Sequence, residues 1–451
     1  MRISLDKQKR LTYPQMIALG YFIIIVTGTV LLSLPIANSN NTHPALIDAL
    51  FTATSATCVT GLVVFDTYTQ WSLFGQLVIL LLIQVGGLGF MMIVTMFSML
   101  LRRRIGLKER GLLRESVNAI YIGGIVRLTK RILIGTFLFE GIGAILLSMR
   151  FIPAMGLAEG IYNGIFHSVS AFCNAGFDLM GKYEKYSSLT TFSGDIVVNL
   201  VVLALIIIGG IGFFVWDDII KNKLHYKRYQ LHTKIVLVTT AILVVAGTIC
   251  FYIFEMHNVL SEIETAKDRI LASLFGAVTP RTAGFNTVDV TALTPASKLL
   301  TILLMFVGGS PGSTAGGIKT TTLTVIVISL LSSLRNTTSN NIFGRRLEEN
   351  ALKKASAVVA VNMLLILCAA LLISVTDNAL SLSDVLFEVT SAIGTVGLST
   401  GITGYLNTFA RLIIILLMYS GRVGSLSFAL LFTENRIPSS VQNPTEKINI
   451  G

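Results

Sequence analysis

The sequence predicts an all-α polytopic membrane protein. It reads as four tandem helix–pore-loop–helix repeats with pseudo-fourfold symmetry around one pore, eight membrane spans in all. Three observations lead there. First, 53% of the 451 residues are hydrophobic and only 13% are charged, with mean hydropathy +0.75, whereas soluble domains carry about 25% charged residues. Second, four apolar runs each end in a glycine ten positions after an apolar anchor: Phe51 to Gly61, Phe166 to Gly176, Leu274 to Gly284 and Phe387 to Gly397. Third, each glycine is trailed by another glycine mark inside the next long apolar run, at Gly86, Gly209, Gly308 and Gly421, which lie 25, 33, 24 and 24 residues further on. Self-similarity of two linked marks at a recurring spacing is the signature of internal repeats.

The repeats take the chain in order as residues 1–110, 111–230, 231–350 and 351–451, the last including the C-terminal tail. The first holds a span at 15–37, a short run at 45–62 and a span at 71–101. The second uses 129–151, 160–177 and 195–218. The third uses 233–256, 268–285 and 296–334, its second span broken. The fourth uses 355–376, 382–398 and 408–432. The short runs fall below the roughly 20 apolar residues that cross a bilayer, so each is expected to enter as a half-helix and turn back at its glycine. Repeat two has the longer offset because of a polar stretch, Phe177 to Gly194, read as an outer loop without function. Leu274 stands where the other three repeats have Phe. The first apolar run, about Met16 to Ala37, is longer than the core of a signal peptide.

Charge sets the orientation. The net charge is +11, but the basic residues sit in short loops between apolar runs, which excludes a nucleic-acid surface. Twenty-five of the 35 Lys and Arg fall on one side. They include Arg2, Lys7, Lys9 and Arg10 in the N-terminal tail, Arg102, Arg103 and Arg104 after repeat one, and Arg436 and Lys447 near the end. By the positive-inside rule that side, with both termini, is cytoplasmic. Asp48, Asp66, Glu159, Glu262, Glu264, Asp377 and Asp384 fall on the other side, where they would either concentrate cations or serve as ordinary solvated loop residues. Four scattered cysteines suggest neither a disulfide framework nor a metal site. The five histidines show no ligand spacing, which argues against a membrane-embedded enzyme.

Irregular backbone survives at membrane depth only where it is buried in protein or lines a water-filled path, and such backbone points carbonyl oxygens at whatever passes. Only glycine visits positive φ freely. The candidate ion-binding filter is therefore Thr57, Cys58, Val59, Thr60 and Gly61 from repeat one; Asn174, Ala175 and Gly176 from repeat two; Thr282, Ala283 and Gly284 from repeat three; and Thr395, Val396 and Gly397 from repeat four. Cys173, equivalent to Cys58, is read as a small pore-helix residue.

The candidate gate is Gly308-Gly309-Ser310-Pro311-Gly312-Ser313-Thr314-Ala315-Gly316-Gly317. So many glycines and a proline in ten residues cannot hold a regular helix, and broken helices at mid-membrane mark ion paths. Arg422 aligns with Gly309 and lies about 16 Å beyond Arg411 at 1.5 Å per residue. A membrane-buried arginine is functional by default; a plug and a strut to the glycine loop are both open, with the strut preferred. Lys319 is expected to snorkel at the inner mouth. Arg281, three residues before Gly284, is expected to point behind the filter and pair with an acid, Glu388 or Asp289. Glu140 reads equally as a proton or sodium site and as a hydrogen-bonded structural acid. His167 and Glu388 are read as packing or pairing positions.

Four pore loops with a single filter glycine each resemble the Trk/Ktr/HKT superfamily of potassium transporters, over essentially the whole chain. Within it the chain is most similar to the ion-conducting membrane subunit of the bacterial Ktr system, since Trk subunits carry additional N-terminal helices that this chain lacks. The resemblance implies potassium as cargo, because Gly61 occupies the place where sodium-preferring plant relatives have serine. It also implies a gating role for the Gly308–Gly317 loop, a homodimer in a bacterial cytoplasmic membrane, and a cytoplasmic nucleotide-binding RCK ring, the nucleotide residing on that partner. The short basic loops and tail leave no room for a nucleotide fold in this chain, so control is expected from outside it. A sodium-coupled alternating-access carrier is the competing reading.

Overall fold

The computed structural model describes residues 12–103, 105–116, 123–223, 225–336, 340–425 and 428. The charged tails and Arg104 lie outside the described residues. Regular structure is helical apart from one two-residue antiparallel hairpin that pairs Asn341–Ile342 with Arg345–Arg346.

Four long apolar helices recur along the chain: Tyr13–Leu32, Ile125–Met155, Leu231–Glu255 and Glu349–Thr376. The first starts at a capping box, in which Thr12 and Gln15 satisfy each other's backbone donors. All four are long and apolar enough to cross a membrane. They leave large apolar side chains such as Phe22, Ile134, Ile242 and Leu364 exposed, the surface expected of helices whose solvent is lipid.

Each long helix is followed by a short one: Leu46–Thr57, Leu157–Phe172, Ala266–Val278 and Leu382–Gly394. Their lengths, 12, 16, 13 and 13 residues, fall short of a span. They are driven inward by burial. Phe51, Phe166, Phe275 and Phe387 are all 0% exposed. The buried aromatic anchor of the third short helix is thus Phe275, not Leu274, which is half-buried. The shift follows from the helix end. Ala266–Val278 stops six residues before Gly284, whereas the others stop three or four residues before their glycines.

The helices after the glycine segments depart from expectation. Residues 71–101 and 195–218 do not form straight spans. Leu73–Leu88 turns by 95° into Phe90–Leu100, and Ile196–Gly210 turns by 96° into Phe213–Asn222. The hinges are Gly89 at φ 85° and Gly212 at φ 96°, a backbone conformation that a right-handed helix cannot contain. In the third quarter, Pro295–Phe306 and Thr320–Leu334 are separated by the glycine loop. In the fourth, Thr408–Val423 ends at Gly424, φ 96°, and most of the expected continuation to residue 432 lies outside the described residues. Among the described residues, four single helices have the length and hydropathy of a span, or six if each bent pair counts as one.

Several acids expected in outer loops are structural partners. Asp48 is buried and pairs with Arg411 at 2.6 Å. Asp66 caps the short turn at Thr69 and accepts from the Tyr186 backbone. Glu159 pairs with Lys182, and Asp384 with Lys298. The Phe177–Gly194 stretch is also tied down. Leu189 N–H donates to Asn286 O, and Tyr186 Oη to Val64 O.

Candidate functional site

The four glycines meet. A methyl group built on Gly61 would stand 2.4 Å from the Ala175 carbonyl oxygen. One on Gly176 would stand 2.7 Å from Ala283 O, one on Gly284 2.6 Å from Val396 O, and one on Gly397 2.2 Å from Thr60 O. Each glycine therefore abuts the carbonyl of the residue that precedes the next glycine in chain order, and the fourth returns to the first. The φ angles are 92°, 70°, 80° and 91°, so both space and backbone exclude a side chain.

The same segments carry a second departure from ordinary backbone. Val59, Asn174, Thr282 and Thr395, each two residues before its glycine, have φ of 57°, 59°, 72° and 52°. Left-handed conformation in β-branched residues is a genuine outlier and persists only where the surroundings over-determine it. Backbone bonds help supply that constraint in every segment; in the third, Ala283 N–H donates to Thr279 O at 2.9 Å. Thr60, Ala175 and Val396 donate to Ser55 O, Ser170 O and Ser391 O at 2.8, 2.8 and 2.9 Å. The hydroxyls of Ser55 and Ser391 accept from Gly61 N–H and Gly397 N–H at 3.1 Å each. Ser170 Oγ instead donates to Phe177 O at 2.7 Å. In the third segment Thr279 Oγ1 donates to Phe285 O. Bound in this way, each segment brings the carbonyl before its glycine against the glycine of the preceding segment. Among the described residues, no donor or acceptor reaches the buried hydroxyls of Thr57, Thr60 and Thr395.

The trailing glycines pack behind these segments. A methyl group on Gly86 would lie 2.0 Å from Thr57 O, one on Gly209 2.1 Å from Phe172 O, and one on Gly421 2.2 Å from Ile393 O. The three carbonyls are the equivalent ends of the short helices, four residues before their glycines. The second glycine mark is thus a close approach of helix to helix end. Gly308 differs and faces Gly316 O at 2.6 Å.

The Gly308–Gly317 stretch is an ordered loop pinned at its base. Val307 and Ile318 bridge in parallel, and Gly308 N–H donates to Ile318 O at 2.8 Å. Gly312 and Gly317 turn it, at φ 66° and 61°. On one side it is held by the second bent helix: Ser310 N–H donates to Gly210 O at 2.9 Å, and Phe213 N–H to Gly312 O at 2.7 Å. Toward the fourth glycine segment, a methyl group on Gly316 would meet Thr395 Oγ1 at 2.1 Å. Arg422 holds the other side. Its Nη1 donates to Thr314 O, and its Nη2 to Gly86 O and to Gly87 O, the last at 3.0 Å. Lys319 does not snorkel; its Nζ donates to Ala315 O and Gly316 O at 2.7 and 2.9 Å, since a loop bent back on itself offers carbonyls nearer than water.

One pairing expectation changes. Arg281 is buried and donates from Nη2 to Thr240 Oγ1 at 3.3 Å. Among the described residues it meets neither proposed acid, because Glu388 accepts from Thr403 and Asp289 from Thr291. Glu140 is a hydrogen-bonded acid: Gln84 Nε2 donates to it at 3.2 Å, and the Cys173 thiol lies 3.9 Å away. It sits against Cys173, in the second glycine segment. His167 accepts from Leu179 N–H and contacts Asn163 O.

Residues 2–441 match the family model described as TrkH, cation transport protein. The chain belongs to that family. Members of the TrkH family are transporters, not enzymes, and the chain is accordingly a multi-pass membrane protein. It is 41% identical over 449 residues to the potassium/sodium uptake protein NtpJ of Enterococcus hirae, covering 98% of both chains. It is 41% identical over 457 residues to the Ktr system potassium uptake protein B of Bacillus subtilis, covering 100% of both. The TrkH potassium transporter of Vibrio parahaemolyticus superposes with a TM-score of 0.75 over 95% of this chain and 86% of that one, at 16% identity, a shared fold.

Sequence reasoning missed Ser55, Ser170 and Ser391. The signal was available, since each stands six residues before its glycine. It named Val59, Asn174, Thr282 and Thr395 but not their left-handed conformation.

Proposed function

We propose that this chain takes up potassium across the bacterial cytoplasmic membrane through a channel-like pore. The observation that supports the reading is the closed circuit of Gly61, Gly176, Gly284 and Gly397, each against a carbonyl of the next segment. In this reading the carbonyls of the filter residues replace the hydration shell of potassium. The four quarters, 1–110, 111–230, 231–350 and 351–451, are repeats about that axis and contribute eight spans. Both termini are cytoplasmic. The Gly308–Gly317 loop is the gate beneath the filter, with Arg422 as its strut.

Regulation comes from a cytoplasmic partner. Three relatives are named as proteins of a Ktr system, which supports a partner subunit; an RCK ring carrying the nucleotide and a homodimer in the membrane complete the proposed assembly. Sodium is the second reading for cargo or coupling, because one relative is named for potassium and sodium together. Potassium and sodium fluxes into proteoliposomes holding the full-length chain test the proposal. Saturable potassium flux exceeding sodium flux is expected. Equal flux of both ions, or none from well-folded protein with its partner, would overturn it.

A further inference from the structure

A basic cavity lies apart from the filter and the loop. It is about 530 Å³ in volume and is walled by Arg102, Arg103, Arg110, Arg127 and Lys130. No acidic side chain lines it among the described residues. The acids nearest in sequence are engaged elsewhere. Glu109 accepts from Gly106 N–H at 2.8 Å, and Glu115 pairs with Arg114 at 3.7 Å. The first turn of Ile125–Met155, entered through Gly124, opens on the same space, adding the positive end of a 31-residue helix. Five like charges around one concavity repel each other. Such an arrangement is stable when an anion fills it.

The remaining wall identifies the anion. Met99, Ile105, Ile125 and Val126 line the same cavity. On the two helices that lead to it, Phe90–Leu100 and Ile125–Met155, the side chains of Phe97, Leu100 and Ile134 are exposed. The cavity therefore sits where an apolar belt meets a cationic rim, the level of lipid phosphates. Its volume is in the range of whole small-molecule sites, roughly 300–1,000 Å³, larger than a lone phosphate needs. We propose that this cavity binds the headgroup of an anionic phospholipid, its phosphate held by the arginine cluster and its acyl chains lying on Phe97, Leu100 and Ile134. The site is independent of the cargo reading, because none of its residues touches the glycine circuit.

Native mass spectrometry of the delipidated full-length chain tests it, with phosphatidylglycerol and phosphatidylcholine added in equal amounts. Phosphatidylglycerol adducts should exceed phosphatidylcholine adducts on the order of tenfold or more. The preference should fall in R102Q/R103Q and, independently, in R127Q/K130Q, and should persist in K227Q/R228Q on another basic loop. Thermal unfolding of each variant shows which are folded, and two independent pairs keep the test open if one is not. Wild-type chain binding both lipids equally, or either folded pocket variant retaining full preference, overturns the proposal. Displacement of phosphatidylglycerol by millimolar inorganic phosphate would make it a free-anion site and overturn the lipid. Loss of partner binding with lipid preference intact would make it a protein-docking surface and overturn it as well.

Discussion

The guanidinium of Arg422 donates to the carbonyl of Thr314. The same group reaches Gly86 and Gly87. One side chain near the end of the chain therefore joins the glycine loop of the third quarter to the helix hinge of the first. A charged donor is worth about 1.5–3 kcal/mol per hydrogen bond, and three carbonyls share this one.

Removing the strut should free the loop. Arg422→Ala is expected to raise partner-free potassium uptake by about tenfold, since 1.4 kcal/mol suffices for that shift. Deleting Ser310–Gly316 should raise it further while leaving the potassium-to-sodium ratio nearly intact. Uptake by the well-folded deletion at the wild-type partner-free level would show the loop to be a packing feature only.

Gly61→Ser places a Cβ 2.4 Å from a backbone carbonyl at φ 92°. Neither neighbour is a flexible side chain, so the carbonyl ring must shift and its field change. The potassium-to-sodium permeability ratio should fall by about tenfold, equivalent to ~1.4 kcal/mol. Ion-substitution flux measurements on protein of normal abundance check it, and an unchanged ratio removes Gly61 from the filter.

Glu140 is bonded to Gln84 and lies against Cys173 of the second glycine segment. Glu140→Gln keeps the shape and an oxygen that can accept from Gln84, so stability should shift by no more than about 0.5–1.5 kcal/mol with the sodium dependence of uptake unchanged. Thermal unfolding and uptake at graded sodium separate the two. A lost sodium response would make Glu140 an ion site instead.

Asp48 and Arg411 join the first short helix to the helix Thr408–Val423 at 2.6 Å, with side chains 8% and 16% exposed. Breaking a buried pair from one side leaves a charge uncompensated. Arg411→Ala should destabilise the fold by about 3–5 kcal/mol, and adding Asp48→Asn should recover part of the loss. A double variant no more stable than Arg411→Ala would show that the arginine's value lies in its other bond, to Gly404 O.

Hydropathy and the ten-residue glycine spacing are local properties, so the sequence alone determined the membrane class, the four short helices with their turning points, and the place of the broken segment at Gly308–Gly317. It also marked the trailing glycines without explaining them. Only tertiary structure decided that Gly209 and Gly421 exist to admit carbonyls of Phe172 and Ile393, because steric room depends on what arrives from elsewhere in the chain. Closure of Gly397 onto Thr60, the partners of Arg422 more than three hundred residues away, and the bond from Arg281 to Thr240 in place of an acid belong to the same kind. Pairings at such separation leave no period in the sequence; they are settled by which buried donors and acceptors come within reach once the helices pack. The hinges at Gly89 and Gly212 fall between the two. Glycine permits a left-handed turn anywhere, and only the Gly308–Gly317 loop and the helix ends packed against those spans decide that the permission is used.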